Sequence, residues 1–401
     1  MQGFFSKKET ESLHRVGGKS LTCFACGLYR DVHTAKMKPT GGFKKHVMLI
    51  GEAPTEADDS RGKHWQDRSG QLLEESLESA GIDLHNDCIS INAINCYPGG
   101  RLPSPHELNC CRRIVFSHIK EYQPKLIILL GMPAVISLIG QRFSKDMDKI
   151  DKWRGFVIPD QDLKCYVAPT FAPGLVLSKG SDYELFFKQD IKKAVDQLKE
   201  PWKRQPNFTM QVLEDLTPLY TIPTGSTIAF DYETTGLKPH AIGHRVVCVA
   251  VATSSTHCYV FKMPVTKEGR KPFLDLLANP GVYKIAQNMK YEDHWSNVVL
   301  RQPVESWAFD TMLASHLLDN RDGVTGLKFQ AYVRLGIVDY SSEIARYLQA
   351  PDTNSFNNIM ELTKSEDGLQ RLMKYCASDA IYTYRIAEQQ IEELDYDFLP
   401  F

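Results

Sequence analysis

The sequence lacks several features, and each absence narrows what it can be. In its 401 residues there is no apolar run of the ~18 residues that a membrane-spanning helix needs. The opening stretch, Met1-Gln2-Gly3-Phe4-Phe5-Ser6-Lys7-Lys8-Glu9, has no apolar core of the kind that targets a chain for secretion. Charge of one sign is missing as well. The 47 Lys and Arg nearly balance 49 Asp and Glu, for a formal net charge of −2. A globally basic polymer binder is therefore excluded, and any polyanion must meet local clusters of Lys and Arg, at 36–45, 101–113, 188–204 and 262–271. No internal repeat and no low-complexity tract is present, which excludes solenoids and disordered tethers. What is there, 43% apolar and 24% charged residues, suits an ordinary globular chain long enough for two or three cored domains. A cytoplasmic location with no membrane partner is expected.

In that compartment ten cysteines point to metal ligation rather than disulfides. Cys23-Phe24-Ala25-Cys26 is a CxxC pair, and Cys96 and Cys111 flank a loop rich in Pro, Gly and Arg. Four thiolates can hold tetrahedral Zn²⁺ or a [4Fe–4S] cluster, and spacing alone leaves both open; Cys110 is an alternative to Cys111. Residues 46–50 and 125–131 read as buried strands, each followed by or ending in glycine, Gly51 and Gly131. In open parallel sheets ligands bind beyond strand carboxyl ends, so these turns mark the edge of a site. Arg68-Ser69-Gly70-Gln71-Leu72-Leu73 opens a helix whose first amides can face a phosphate or a base carbonyl.

Prolines, glycine and polar residues break the periodicity over 201–225, which reads as a linker between a domain at 1–200 and another at 226–401. Short β runs alternate with amphipathic helices on both sides, so both domains are expected to be α/β. In the second, Ile228-Ala229-Phe230-Asp231-Tyr232-Glu233 is a β-rich run. Residues two apart in a strand share a face, so Asp231 and Glu233 can share one metal pocket. Tyr375 and Asp379 lie four apart in a helix-forming run and also share a face. Between them come Asn288-Met289-Lys290-Tyr291-Glu292-Asp293 and Phe309-Asp310-Thr311-Met312-Leu313. Carboxylates gathered this way suit Mg²⁺ or Mn²⁺. Two such ions ~4 Å apart activate water against a phosphodiester and stabilise the leaving oxygen.

Over residues 225–395 this constellation resembles the DEDD-type 3′→5′ exonucleases, in the tyrosine-bearing branch that proofreads for DNA polymerase I. Gln287-Asn288-Met289-Lys290-Tyr291-Glu292 stands where that family has Gln-Asn-Leu-Lys-Tyr-Asp. The resemblance implies an RNase H-like domain with a mixed sheet and two Mg²⁺ or Mn²⁺. Asp231, Glu233 and Asp379 would hold metal, Tyr375 would orient the attacking water, and Asn288 would approach DNA. The family's second-motif aspartate falls on Glu292, with Asp293 as the alternative. A single-stranded or frayed 3′ end would be the substrate, with Leu237 wedged against its last base.

The first half resembles family-four uracil-DNA glycosylases over about residues 20–200. The resemblance is carried by Gly51-Glu52-Ala53-Pro54, by Trp65 with Arg68-Ser69-Gly70-Gln71, and by Asn92-Ala93-Ile94-Asn95-Cys96. Arg101-Leu102-Pro103 with Cys111, Trp153-Arg154-Gly155 and Pro169-Thr170-Phe171-Ala172-Pro173-Gly174 extend it. It implies a three-layer domain with a parallel central sheet and a [4Fe–4S] cluster on Cys23, Cys26, Cys96 and Cys111. Trp65, in place of the usual Phe, would stack a flipped uracil and Asn92 would pair with its edge. Glu52, Arg68 and Arg101 would complete the pocket and the DNA contact. The family's late motif is Tyr/Phe-His-Pro, and here alanine stands at the histidine position, Ala172. Losing one preorganised donor costs ~3–4 kcal/mol of barrier, or ~10²–10³ in rate, which argues against excision. His64-Trp65-Gln66-Asp67 and Thr55 also depart from the family pattern.

A glycosylase-like domain fused to this exonuclease resembles the front end of some bacteriophage replicative polymerases. The chain ends 22 residues after Asp379 with no polymerase fingers or palm. The polymerase is therefore expected on a separate chain or in a missing C-terminal region, acting in the bacterial host cytoplasm. The alternatives to a replication exonuclease are an active uracil-excising repair protein and a module that tethers a polymerase.

Overall fold

Runs such as Val47-Met48-Leu49-Ile50 and Leu126-Ile127-Ile128-Leu129-Leu130 carry no alternation because the strands they form are covered on both faces. The computed structural model describes residues 15–16, 19–20, 22–143, 147–338 and 340–395. The chain divides into two units, Met1–Arg204 with Tyr332–Val338, and Gln205–Ala331 with Asp339–Phe401.

The first unit is built on strands β1 (Thr40–Gly41), β2 (Val47–Gly51), β3 (Cys88–Asn92), β4 (Leu126–Leu130), β5 (Ile158–Asp160) and β6 (Cys165–Thr170). Their order is β1-β3-β2-β4-β6-β5. The central four are parallel and the two edges antiparallel, so the sheet is parallel where expected and mixed as a whole. Helices α1 (Glu56–Arg61), α2 (Arg68–Ser79), α3 (Pro105–Tyr122), α4 (Met132–Leu138), α5 (Pro173–Lys179) and α6 (Ser181–Asp196) connect or follow the strands. The start of α3 is written in its sequence: Ser104 and Glu107 form a reciprocal capping box with Pro105 in the first turn. Parallel topology puts the carboxyl ends of β2, β3, β4 and β6 along one edge, so Gly51, Asn92, Gly131 and the Phe171-Ala172 turn lie side by side.

In the second unit β7 (Thr209–Val212), β8 (Thr227–Thr234), β9 (Val246–Ser254), β10 (His257–Lys262), β11 (Tyr283–Ala286) and β12 (Trp307–Asp310) form a sheet of order β12-β11-β8-β9-β10-β7. β8, β9 and β10 are an antiparallel meander, and β11, β12 and β7 join it in parallel. One face carries Phe230, Tyr232, Val249 and Val251 into a core with Phe273 of α7 (Lys267–Ala278) and Trp295 of α8 (Met289–Trp295). The other face is covered by α11 (Glu366–Glu393), a helix of 28 residues that packs on β8, β9, β10 and β11. Two shorter helices, α9 (Thr311–Leu318) and α10 (Leu327–Leu335), precede it. Within the segment read from sequence as a linker, 209–212 is a sheet-edge strand. Its side chains are largely exposed and it is held by backbone pairing to β10, so no apolar alternation announces it. No helix among the described residues is long and apolar enough to cross a membrane.

The end of β6 is anchored through Asp190 of α6, which accepts from Arg154 Nε at 2.9 Å, Arg154 Nη2 at 2.6 Å and Thr170 Oγ1 at 2.8 Å. Removing one partner of a buried ion pair strands the other. Asp190→Ala is expected to destabilise the first unit by ~3 kcal/mol, read as a lowered midpoint of its urea unfolding. A loss under ~0.5 kcal/mol would show that this network does not hold the sheet edge.

Candidate functional site

Alternation along β8 sends Phe230 and Tyr232 into the aromatic core and Asp231 and Glu233 toward α11. α11 returns Tyr375, Cys376 and Asp379 to the same place, all buried. One donor atom from each of Asp231, Glu233 and Cys376 lies within 4.8 Å of the others. Asp379 accepts a short hydrogen bond from the Tyr340 hydroxyl. Lys328 of α10 donates to the Tyr375 hydroxyl and lies 3.9 Å from Asp379 Oδ2. Glu292 of α8 is 3% exposed, and its Oε2 has no hydrogen-bond partner among the described residues.

Burial, and after it the charge of Asp379, pushes the Asp231 carboxyl well above its ordinary range, with Lys328 opposing. Burial and then Asp231 do the same to Glu233 and to Glu292. Burial followed by Asp379 raises the Tyr375 hydroxyl. Buried carboxylates that repel one another and a glutamate oxygen left unpaired fit a divalent cation with hard oxygen ligands, which would reverse the penalty.

The neighbours of Glu292 separate the two residues left open by its motif. Asp293 turns away, accepting from Trp307 Nε1 and Asn297 Nδ2, both at 3.0 Å. Asp310 caps α9 and accepts from the backbone N–H groups of Asn288 and Met289 at 3.0 Å and Met312 at 2.8 Å, a structural task. That bond holds Asn288 in the left-handed region at φ 63°, where it lines a depression of about 460 Å³ with Lys290, Tyr291 and His294. Leu237, 57% exposed, lines another of about 580 Å³ with Pro239, Ile242 and His294.

At the sheet edge of the first unit, a Cβ on Gly51 would lie 2.3 Å from Asn92 Oδ1 and 2.9 Å from Trp65 Cη2, so only glycine lets both side chains close over the end of β2. Trp65, at φ 63°, is pinned by Nε1–H donation to Ser90 Oγ at 2.8 Å. The Asn92 Nδ2 is buried with no partner among the described residues, a donor free for a ligand. Glu52 leans over Gly131, where a Cβ would meet Oε1 at 2.3 Å, and burial lifts its carboxyl to about 7. Ala172 and Phe171 are both buried. His64 bonds Thr40 Oγ1 through Nδ1 at 2.8 Å, and burial lowers it to about 4. Arg68 does begin a helix, but the expected phosphate-facing amides are taken: the Asp67 carboxylate accepts from Ser69 N at 2.9 Å and Gly70 N at 3.2 Å. Arg101 is paired in a fork with Glu107, at 2.9 and 2.5 Å.

Cys23 and Cys26 form a 3₁₀ turn that packs on α3, which carries Cys110 and Cys111. Burial raises the Cys111 thiol to about 12, and the charges of Cys23, Cys26 and Cys96 add to the effect. Burial also raises Cys96, whose sulfur accepts from the Lys36 backbone N–H at 3.3 Å. Burial raises the Cys110 thiol, with the charges of Cys26 and Cys23 adding to the effect, and its sulfur lies 3.7 Å from His106 Nε2. Convergent thiols with an amide donor aimed at sulfur suit a thiolate-bound metal or cluster.

These two sites define a pairing of domain classes. Residues 39–199 match the uracil DNA glycosylase superfamily and residues 209–395 match the 3′–5′ exonuclease family. The chain therefore joins an N-terminal uracil-DNA-glycosylase-like domain to a C-terminal 3′–5′ exonuclease domain. A type-4 uracil-DNA glycosylase of Thermotoga maritima is 29% identical over 193 residues, 47% of this chain and 96% of that protein. A DNA polymerase of Bacillus phage SP01 is 23% identical over 399 residues, 90% of this chain but 41% of the polymerase. Among solved structures, Brucella melitensis NrnC bound to pGG aligns with 49% of this chain and 84% of its own, at 20% identity and a TM-score of 0.34. The exonuclease domain implies a divalent metal, and both domain types act on nucleic acid.

Sequence reasoning missed Lys328, Tyr340 and Cys376 as neighbours of the carboxylates. Cys376 was findable, since it sits between Tyr375 and Asp379; Lys328 and Tyr340 carry no motif.

Glu52 generates a pH prediction. Its folded carboxyl titrates near 7 against an ordinary value of 4.5. The penalty is absent below about pH 4.5, grows as pH rises from there, and levels off above about 7, reaching roughly 3 kcal/mol. Glu52→Gln should match wild type in unfolding free energy at pH 4 and exceed it at pH 8. Equal stability at both would place Glu52 in a solvated setting.

Proposed function

We propose that the chain is a two-metal 3′→5′ DNA exonuclease that trims single-stranded or frayed 3′ ends during replication, with an N-terminal domain that grips DNA and holds uracil without efficient excision. The observation that carries the nuclease reading is that Asp231 and Glu233 from β8 meet Cys376 of α11 with donor atoms within 4.8 Å, while the charge of Asp379 of α11 bears on both and on Glu292 of α8. Asp231 and Asp379 would hold one Mg²⁺ or Mn²⁺, and Asp231 with Glu233 and Glu292 a second. Bound there, the ions supply acidity to the attacking water and charge neutralisation at the leaving 3′ oxygen. Tyr375 holds that water through its hydroxyl. Lys328, already bonded to Tyr375 and close to Asp379, fixes the phenol's orientation. Leu237 is exposed at the mouth of its depression, where it can wedge against a terminal base. Asn288 lines the neighbouring depression, where it can meet DNA.

In the N-terminal domain Trp65 stacks the flipped base and Asn92 reads its edge. Glu52 lies at the same strand ends, while Arg68 and Arg101 face DNA from the rim. Ala172 offers no donor to the departing uracil, so the pocket binds and does not turn over. Cys23, Cys26, Cys96 and Cys111 hold one [4Fe–4S] cluster rather than Zn²⁺. Cys111 is the fourth ligand that the resemblance implies, with Cys110, also buried on α3, as the alternative. A DNA polymerase, on another chain or further along this one, is the partner, and the bacterial host cytoplasm the setting. The likeness to a phage polymerase supports both.

The test uses two end-labelled single strands, one containing uracil, with Mg²⁺ or Mn²⁺. Stepwise shortening of both from the 3′ end, abolished by EDTA and by Asp231→Ala while DNA binding persists, is the expected result. Full activity of Asp231→Ala would overturn the site. Alkali-sensitive breakage at uracil in EDTA would instead establish an active glycosylase. Tyr375→Phe should lower the cleavage rate by about 10²-fold with little change in DNA affinity. Anaerobically purified protein should contain iron and acid-labile sulfide in equal amounts, and stoichiometric zinc without sulfide would contradict the cluster.

A further inference from the structure

The acidic pocket contains a ligand type that hard cations do not use. Cys376 is fully buried, and its Sγ lies 3.6 Å from the Asp231 carbonyl oxygen and 3.8 Å from Asp231 Oδ2. It is the third member of the group whose donor atoms fall within 4.8 Å of one another, with Asp231 and Glu233. A second buried thiol, Cys248, stands opposite Glu233 in the β8–β9 register.

We propose that Cys376 sets the metal selectivity of the exonuclease site: with Asp231 and Glu233 it forms a sulfur-plus-two-carboxylate position that takes Zn²⁺ or Cd²⁺ in preference to Mg²⁺, and these ions shut the nuclease down. The inference rests on the reading of Asp231 and Glu233 as metal ligands. Mg²⁺ demands near-octahedral oxygen and keeps its waters, so a thiol offers it nothing. Zn²⁺ accepts sulfur and carboxylate oxygen together in four-coordinate geometry, and softer ions favour the sulfur more. On binding, the Cys376 S–H bond gives way to a sulfur–metal bond and the proton leaves to solvent. The ion is then held from β8 and α11 at once, and its tetrahedral demand draws Asp231 and Glu233 from the arrangement that serves two oxygen-bound ions. The plainer account is that Cys376 is a small residue that lets α11 sit close to β8, its thiol satisfied by the Asp231 carbonyl.

The experiment compares the full chain with Cys376→Ser, which keeps the size and a hydrogen-bond donor but removes sulfur. Zn²⁺ is titrated against each protein's own Mg²⁺-supported 3′ shortening rate, with Ca²⁺, which ignores sulfur, as the parallel titration. The expected result is about a tenfold or greater rise in the half-inhibitory Zn²⁺ concentration for Cys376→Ser, with that of Ca²⁺ unchanged. An equal Zn²⁺ requirement in the two proteins overturns the proposal. A readout independent of activity is the ultraviolet sulfur-to-cadmium charge-transfer band on Cd²⁺ addition. It should lose one thiolate's contribution in Cys376→Ser and bind more weakly in Asp231→Asn, and identical titrations in all three proteins also overturn it. If wild type shows no Mg²⁺-dependent cleavage, the nuclease reading fails, while the Cd²⁺ titration still decides the role of Cys376.

Discussion

The second domain is organised around an electrostatic conflict. Asp231, Glu233 and Glu292 are buried, and the charge of Asp379 raises the cost of ionising all three, as that of Asp231 does for Glu233 and Glu292. Two unit charges 4 Å apart repel by ~4 kcal/mol even at an effective dielectric of 20. Among the described residues Lys328 is the cation set against this, and it touches Tyr375 and Asp379. Such a pocket persists only where the frame is over-determined. β8 lies inside the sheet between β9 and β11, and α11 spans four strands of that sheet. Small residues on α11, Cys376, Ala377 and Ala380, are fully buried and let it approach closely. The price of assembly is met by packing elsewhere, chiefly the aromatic core of Phe230, Phe261, Phe273 and Trp295.

The first domain solves a different problem. It gathers its strand ends along one edge, where parallel topology alone brings Gly51, Asn92, Gly131 and Ala172 together. On the proposed reading, the unpaired Asn92 amide and the pinned Trp65 ring are the groups that recognise the base. Recognition and bond cleavage need different atoms, and on the proposed reading alanine at position 172 leaves a shape for a base without the donor that its removal needs.

Much of this was legible in sequence because the information was local. The two-residue period of β8 puts Asp231 and Glu233 on one strand face, and the four-residue spacing of Tyr375 and Asp379 puts those two on one helix face. The capping box at Ser104 and Glu107 marks the start of α3 in the same way. What escaped was non-local or had no period. Lys328 and Tyr340 reach Asp379 from 51 and 39 residues away, with no motif to mark them. The exposed edge strand Thr209–Val212 has no apolar face to announce it. Arg68 was correctly read as a helix start, but the Asp67 side chain fills the anion site that such a start offers. Glu292 and Asp293 are adjacent, and only the helix phase, which turns Asp293 to Trp307, tells them apart.

The most direct test of the central claim is a crystal of the full chain grown with Mn²⁺ and a short single strand, examined by anomalous scattering at the manganese edge. The account predicts manganese peaks bounded by Asp231, Glu233, Glu292 and Asp379, with the 3′-terminal phosphodiester beside them and Tyr375 facing it. A carboxylate pocket free of manganese, with the strand's 3′ end bound elsewhere, would contradict it.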